Sequence, residues 1–407
     1  MIKLSKRNYI LMFMDTVLFT NAMAFLSINA VIPYFLNNLG ASIFQISLAS
    51  VIVSACAFIT QPFFSGLALK LPYKLKTFVK ILFMQRIIFL VFILFIPLIS
   101  SKSPNLMIIT FLIFWGIFNF FVGSYSPFFN LIIAKLVPGN KRGRLLGFAG
   151  AFGNFIAIGS SMLIGILLKK IPYPYNYTII FALGILILLI DVLDFNLMEN
   201  EIPDKPIDNS ISYFQYLKLL PKILKSDKKF VRMVAGSTFF VITNISLAYY
   251  ILYSIKTYNA GANNIALFTA IGVFVNVLAN IFFGIIADRF GHKHVLQYAA
   301  LCGLTAGVVV ITLTGILSVY IAFTLTTLSA CGYNLSSNML IIQEAPKDQL
   351  PMYISVNVMI TLIISSIIMF FSGFIIEKFS FTPIFSLTII TGFGAFIMFK
   401  TFDKKVS

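Results

Sequence analysis

Gly284-Ile285-Ile286-Ala287-Asp288-Arg289-Phe290-Gly291-His292-Lys293 separates two long apolar runs. Charge this dense does not rest in hydrocarbon, so the stretch predicts a short charged hairpin at a membrane surface, capping two membrane helices. Reading outward, the pattern repeats along the whole chain. The 407 residues are 59% hydrophobic and 11% charged, whereas a soluble domain carries about 25% charged residues. Lipid is therefore the solvent, and the chain is an integral membrane protein.

Crossing the hydrocarbon takes about 20 apolar residues per helix. The runs place twelve spans at 9–35, 43–69, 77–99, 105–130, 145–168, 177–197, 232–255, 264–287, 294–315, 317–342, 352–376 and 383–401. They are long and continuous with no period of two, so they are helices rather than barrel strands. Lys3, Lys6 and Arg7 precede the first run, but it is too long for a signal-peptide core and lacks a small-x-small cleavage site.

The net charge of +17 does not indicate nucleic acid, because the charges are sorted by side. Of 30 Lys and Arg residues, 24 fall on the side of the Asp288 loop, five on the other, and Arg86 lies within a span. This positive-inside bias predicts a multi-pass protein of the cytoplasmic membrane, of the prokaryotic inner-membrane type, with both termini cytoplasmic. Gly139 and Gly291 should face the cytoplasm, and Ser103 and Asn176 the outside. Membrane lipids are expected partners of the basic surface. Cys56, Cys302 and Cys331 are dispersed in spans and read as packing residues. His292 and His294 are too few for a metal site, and no cofactor pattern is present.

Gly284, three residues, then Asp-Arg-x-Gly-x-Lys resembles the cytoplasmic-loop motif of the major facilitator superfamily of secondary transporters. The polar stretch from Glu199 to Lys229 divides six spans from six. It could be a plain linker or carry an interfacial amphipathic helix over 212–224. The resemblance implies an all-α fold of two pseudo-symmetric six-helix halves, 1–198 and 230–407, joined by the linker 199–229. It also implies a substrate site near the midplane. The first half keeps Gly66 but has Lys70, Lys74 and Lys76 where the motif would put Asp-Arg-x-Gly. The fifth span has many glycines but lacks the Gly-Pro pair of many drug–proton antiporters of the superfamily.

Ionisable residues inside hydrocarbon are costly and call for a partner or a function. Asp15 lies about six residues from the cytoplasmic side and Arg86 about nine, roughly 9 and 14 Å by helical rise. Asp15 and Arg86 are the proton-coupling candidates. Three readings of Asp15 stay open: a proton-carrying carboxylate, a structural partner of Arg86, or a water-accessible residue. Asp191 and Asp194 are expected near the cytoplasmic end of the sixth span, reaching water or pairing with basic loops.

In the superfamily, helices 1, 4, 7 and 10 line the cavity. The resemblance thus nominates Asn21 and Asn29; Trp115, Asn119 and Ser126; Asn244 and Tyr249; and Ser329 and Tyr333 as substrate-binding residues. These are amides, hydroxyls and aromatic rings with almost no fixed charge. They suit a small neutral or amphipathic solute, though each could instead bond helix to helix. For the gate, the resemblance pairs Asp288, beside Arg289, with Arg142 or Arg144. The first half departs from the family pattern there, so Lys70 is expected either to form a lock of inverted polarity with Glu344 or Asp348 or only to follow the positive-inside rule. The expected function is proton-coupled secondary transport by a monomer, with no catalytic residues. A multidrug efflux carrier is the alternative within the class. Outside it stand a non-transporting sensor and a lipid-modifying enzyme. No Gly-x-x-x-x-Gly-Lys-Ser/Thr loop supports ATP hydrolysis.

Overall fold

The computed structural model describes residues 6–198, 203, 227–345 and 350–402. Asp348, the segment 212–224 and nearly all of the linker lie outside the described residues. The described residues contain helices and no strand. Eleven helical segments among them are long and apolar enough to cross a membrane. Residues 6–38 supply the twelfth span in two pieces.

In the first half, the spans are α1 (Lys6–Phe25) with α2 (Val31–Asn38), α3 (Ile43–Lys70), α4 (Leu75–Ile99), α5 (Pro104–Val122) with α6 (Tyr125–Leu136), α7 (Gly139–Lys170) and α8 (Tyr175–Asn196). In the second half, α9 (Lys228–Asn244) and α10 (Tyr250–Tyr258) flank a 3-10 turn. There follow α11 (Ala262–Phe290), α12 (His292–Thr312), α13 (Ile316–Glu344), α14 (Leu350–Phe379) and α15 (Thr382–Lys400). The described residues form two compact units, one within 1–41, 55–212 and 262–270 and the other within 42–54, 213–261 and 271–407.

The repeat suggested by the sequence is present in the packing. In the first half, α1 packs on α7 and α8, and α4 on α8 and α5. By span number these are pairs 1–5, 1–6, 3–6 and 3–4. In the second half, α9 packs on α14 and α15, and α12 on α15 and α13. These are pairs 7–11, 7–12, 9–12 and 9–10, the same scheme shifted by six.

The first, fourth and seventh spans are broken where the sequence predicts continuous helices. A proline ring clashes with the carbonyl four residues earlier and is tolerated in a first helical turn. Pro33 is the third residue of α2 and Pro127 the third of α6. Four residues before them lie Asn29, inside the first break, and Gly123, at the second. Pro62 and Pro97 lie within continuous helices, so proline alone does not set a break. At the two breaks, Ser27, Asn29, Gly123 and Ser124 add weak helix formers. Gly123 is also required by contact, since a Cβ there would lie 1.7 Å from Thr60 Oγ1 on α3. The seventh span has no proline. Thr243, Asn244 and Ser246 instead turn back on the carbonyls of Phe239, Phe240 and Thr243. Such bonds compete with the helical ladder, and Ile245–Ala248 tightens to a 3-10 turn.

The charged hairpin expected at 288–293 is shorter than its sequence suggests. α11 continues through Asp288 and Arg289 to Phe290, and α12 begins at His292. Gly291 alone makes the turn, with φ +86 and ψ 160, a region essentially confined to glycine.

Candidate functional site

The first half holds a buried ionic cluster built from four helices. α4 supplies Gln85 and Arg86, α8 supplies Asp191, α1 supplies Asp15 and α6 supplies Tyr125. Pairs 1–6 and 3–6 bring α1 and α4 onto α8, so three ionisable side chains converge. Arg86 is 1% exposed, and Asp15 and Asp191 are 0%. Arg86 Nη2 donates to Asp191 Oδ2 at 2.8 Å, Nε to the Leu188 carbonyl at 2.9 Å, and Nη1 to Gln85 Oε1 at 3.0 Å. Gln85 is held in turn, its Nε2 donating to the Phe118 carbonyl at 3.0 Å. The Tyr125 hydroxyl donates to the Asp15 carboxylate, 3.0 Å from Oδ2 and 3.2 Å from Oδ1.

The Asp15 and Asp191 carboxyls are neighbours in this cluster. Two ionised carboxylates offer each other only acceptors, and Asp191 Oδ1 has no donor. A cavity of about 10 Å³ lies against Gln85, Arg86 and Tyr125, close to the space one water needs. One turn along α8, Asp194 Oδ2 is also buried without a donor.

This corrects one expectation and removes one of the three open readings of Asp15. Asp191 does not reach water or a basic loop, because the face of α8 that carries it packs on α1 and α4. Nor is Asp15 water-accessible here. Arg86 takes Asp191 as its direct ion pair, and Asp15 sits beside that pair. Asp191, Tyr125 and Gln85 were absent from the sequence-derived set. The available signal was depth, since Asp191 lies about six residues, roughly 9 Å, from the same end as Asp15.

The second half has a polar cluster without charge. The Tyr333 hydroxyl on α13 lies among Ser237, Ser337 and Asn357, and its ring stacks on Phe240 with centroids 4.9 Å apart. Asn357 Oδ1, Ser329 Oγ and Asn244 Oδ1 are buried with no partner among the described residues. Tyr249 is 1% exposed; its hydroxyl meets Ser372 Oγ and, at 3.4 Å, Met369 Sδ.

The remaining nominated residues are scattered. Asn21 accepts from Ser160 at 2.6 Å, and Asn29 is half-buried in the first break. Trp115 is 2% exposed, stacked between Phe111 and Phe118 at 5.8 and 5.6 Å. Asn119 donates to the Trp115 carbonyl, and exposed Ser126 accepts from Asn130. Of the gate candidates, Lys70, Arg144, Asp288 and Arg289 are exposed. The Arg144 guanidinium lies 5.7 Å above the Phe148 ring. Arg142 caps the end of α6, donating to the Ala134 and Val137 carbonyls. Glu344 pairs with Lys229 of its own half.

Two family matches, to residues 14–275 and 233–406, carry the description Major Facilitator Superfamily. The chain belongs to the major facilitator superfamily. This transporter shares its fold with solved structures at low sequence identity. One is the E. coli fucose:proton symporter, at 17% identity and TM-score 0.64, covering 98% of both chains. Another is a nucleoside transporter, at 13% identity and TM-score 0.68, covering 98% of this chain and 99% of that one. A third is a POT family transporter in complex with 5-aminolevulinic acid, at 13% and 0.72, covering 96% and 94%. No curated protein sequence matches this chain. The family makes the protein a multi-pass membrane transporter and not an enzyme.

Proposed function

We propose that this transporter moves a small neutral or amphipathic solute by alternating access and couples the movement to a proton carried by Asp15 and Asp191. The observation that carries the reading is the pair of buried carboxyls beside one guanidinium. With all three ionised, the cluster has a net charge of −1 in a site at most 1% exposed, and an unpaired charge in such surroundings is costly. One bound proton makes the cluster neutral. It also gives Asp191 Oδ1 the donor it lacks, with Asp15 as the donating acid. Tyr125 holds the ionised form of Asp15, and Gln85 keeps the Arg86 fork aimed at Asp191. Asp194, one turn away, serves as the next proton acceptor along α8.

The solute class follows from the second half. Asn244 Oδ1, Ser329 Oγ and Asn357 Oδ1 have open valences, Ser237 and Tyr333 add hydroxyls, and none of the five carries a fixed charge. A neutral polar solute can fill such valences; a phosphate ester or dicarboxylate finds no cation there. Two structural neighbours, a fucose:proton symporter and a nucleoside transporter, agree in kind. The sorted Lys and Arg residues support a cytoplasmic membrane with both termini inside. Monomeric action is part of the same reading.

The test has two stages. A thermal-shift screen of the purified protein compares sugars and nucleosides with cationic dyes, and the best ligand is then followed in proteoliposomes. An imposed pH gradient should drive its accumulation by the natural protein. Asp15→Asn should abolish accumulation yet keep counterflow, because exchange needs no net proton movement. Full pH-driven accumulation by Asp15→Asn would reject the coupling role, and stabilisation by dyes alone would reject the solute class.

A further inference from the structure

The starts of α1 and α7, both in the first unit, enclose a concavity of about 510 Å³. Its lining includes three cations, Lys6, Lys141 and Arg144, and no acid. Among the described residues, no ion pair holds any of the three. The other walls are largely apolar: Ile10 and Phe13 on α1 and Phe148 on α7, with Tyr9 between. Ile10 is 59% exposed and Phe148 62%.

The two kinds of side chain are ordered along both helices. On α7, Lys141, Arg144 and Phe148 recur at steps of three and four, which keeps them on one face. Exposed Phe152 and Phe155 continue that direction toward the middle of the helix. On α1, Lys6, Ile10 and Phe13 recur at four and three. Charge thus lies at the helix ends and apolar surface runs inward from it. Arg144 covers the Phe148 ring with one face of its guanidinium and keeps its in-plane N–H groups for an anion.

We propose that this concavity binds one anionic phospholipid of the surrounding bilayer. The phosphate rests on Lys6, Lys141 and Arg144, and the acyl chains follow Phe148, Phe152 and Phe155. A free phosphate would satisfy the cations but leave the aromatic track empty. A zwitterionic lipid would set its own cation against three others.

The test uses the full-length protein in neutral detergent, with phosphatidylglycerol, phosphatidylcholine of the same chain length and inorganic phosphate as probes. Bound lipid is counted by native mass spectrometry. Phosphatidylglycerol should be retained in preference to phosphatidylcholine, and inorganic phosphate should not displace it. The Lys141→Gln/Arg144→Gln variant should bind phosphatidylglycerol on the order of thirtyfold more weakly, as loss of two surface charges implies. Phe148→Ser should also weaken it. Lys169→Gln/Lys170→Gln, at the far end of the same helix, should leave binding unchanged and controls for general loss of charge. Equal retention of the two lipids would overturn the proposal. So would unchanged binding in the Lys141/Arg144 variant, equal loss in the control, or displacement by phosphate.

Discussion

Arg86 on α4 and Asp191 on α8 form an ion pair of 2.8 Å in which neither side chain is more than 1% exposed. Asp15 lies beside this pair and takes its own hydrogen bond from the Tyr125 hydroxyl. Removing one member of a buried pair leaves a charge with no partner, and the measured cost is about 3–5 kcal/mol. Arg86→Met should therefore lower stability by about 3 kcal/mol or more. Adding Asp191→Asn should recover at least half of the loss. Trp115 is the only tryptophan and is buried in the first half, so its fluorescence reports melting there. A double variant no more stable than Arg86→Met would show that lost packing, not unpaired charge, causes the effect.

Asp194 separates a relay from the carrier itself. It is only half-buried and makes no bond to Arg86. Asp194→Asn should slow pH-driven uptake several-fold while final accumulation survives. Asp191→Asn should abolish accumulation. Initial rates and plateau levels in proteoliposomes distinguish the two, and identical behaviour of the variants would remove Asp194 from the path.

The twelve spans were legible because the length of an apolar run is a direct record of hydrocarbon thickness. The Asp15–Arg86–Asp191 cluster was legible only in part. Position along a span gives depth, but the direction a side chain faces depends on which helices pack around it. Asp191 meets Arg86 because the third span packs on the sixth, and no local pattern in either span records that pairing. Trp115 shows the same limit. Its step of four to Asn119 marks a shared helix face, while its edge contact with Phe89 of α4, at 6.1 Å between centroids, is recorded in neither span. The breaks at Asn29 and Gly123 could be read only by combining Pro33 and Pro127 with the weak helix formers around the residue four positions earlier, since Pro62 and Pro97 leave their helices continuous.

Gly291 offers a direct check on the turn between α11 and α12. At φ +86 and ψ 160, any residue with a Cβ is strained by about 1–3 kcal/mol. No atom lies within 4 Å of a Cβ placed there, so Gly291→Ala isolates backbone strain from steric contact. The variant should melt lower by that amount. Unchanged melting would mean that the turn relaxes to another conformation at little cost.

Orientation rests on charge sorting and is tested by cysteine accessibility. In a background lacking Cys56, Cys302 and Cys331, single cysteines at Ser103 and Asn176 should report the outer side. Cysteines at Gly139 and Gly291 should report the cytoplasmic side. Asn176 is 5% exposed, so Ser103 carries the outer-side measurement. An impermeant thiol reagent should label Ser103→Cys in intact cells and Gly139→Cys only after lysis. Labelling of Gly139→Cys in intact cells, with Ser103→Cys protected, would invert the topology.

The joint between α5 and α6 tests whether contact or flexibility fixes the glycine there. A Cβ on Gly123 would lie 1.7 Å from Thr60 Oγ1 and 2.7 Å from Thr60 Cβ. Rotating the hydroxyl away relieves only the first clash. It also breaks the bond from Oγ1 to the Cys56 carbonyl at 2.8 Å. The second clash requires α3 or the joint itself to shift, and overpacking of this kind costs about 1–3 kcal/mol. Gly123→Ala should destabilise the protein by about that much. Thr60→Ala should not rescue it, because the Cβ remains. Thr60→Gly should, apart from about 1 kcal/mol for glycine inside α3. Melting curves of the two double variants decide the matter. Equal rescue by Ala and Gly would place the clash at the hydroxyl, and rescue by neither would place the cost in the helix break rather than in its contact with α3.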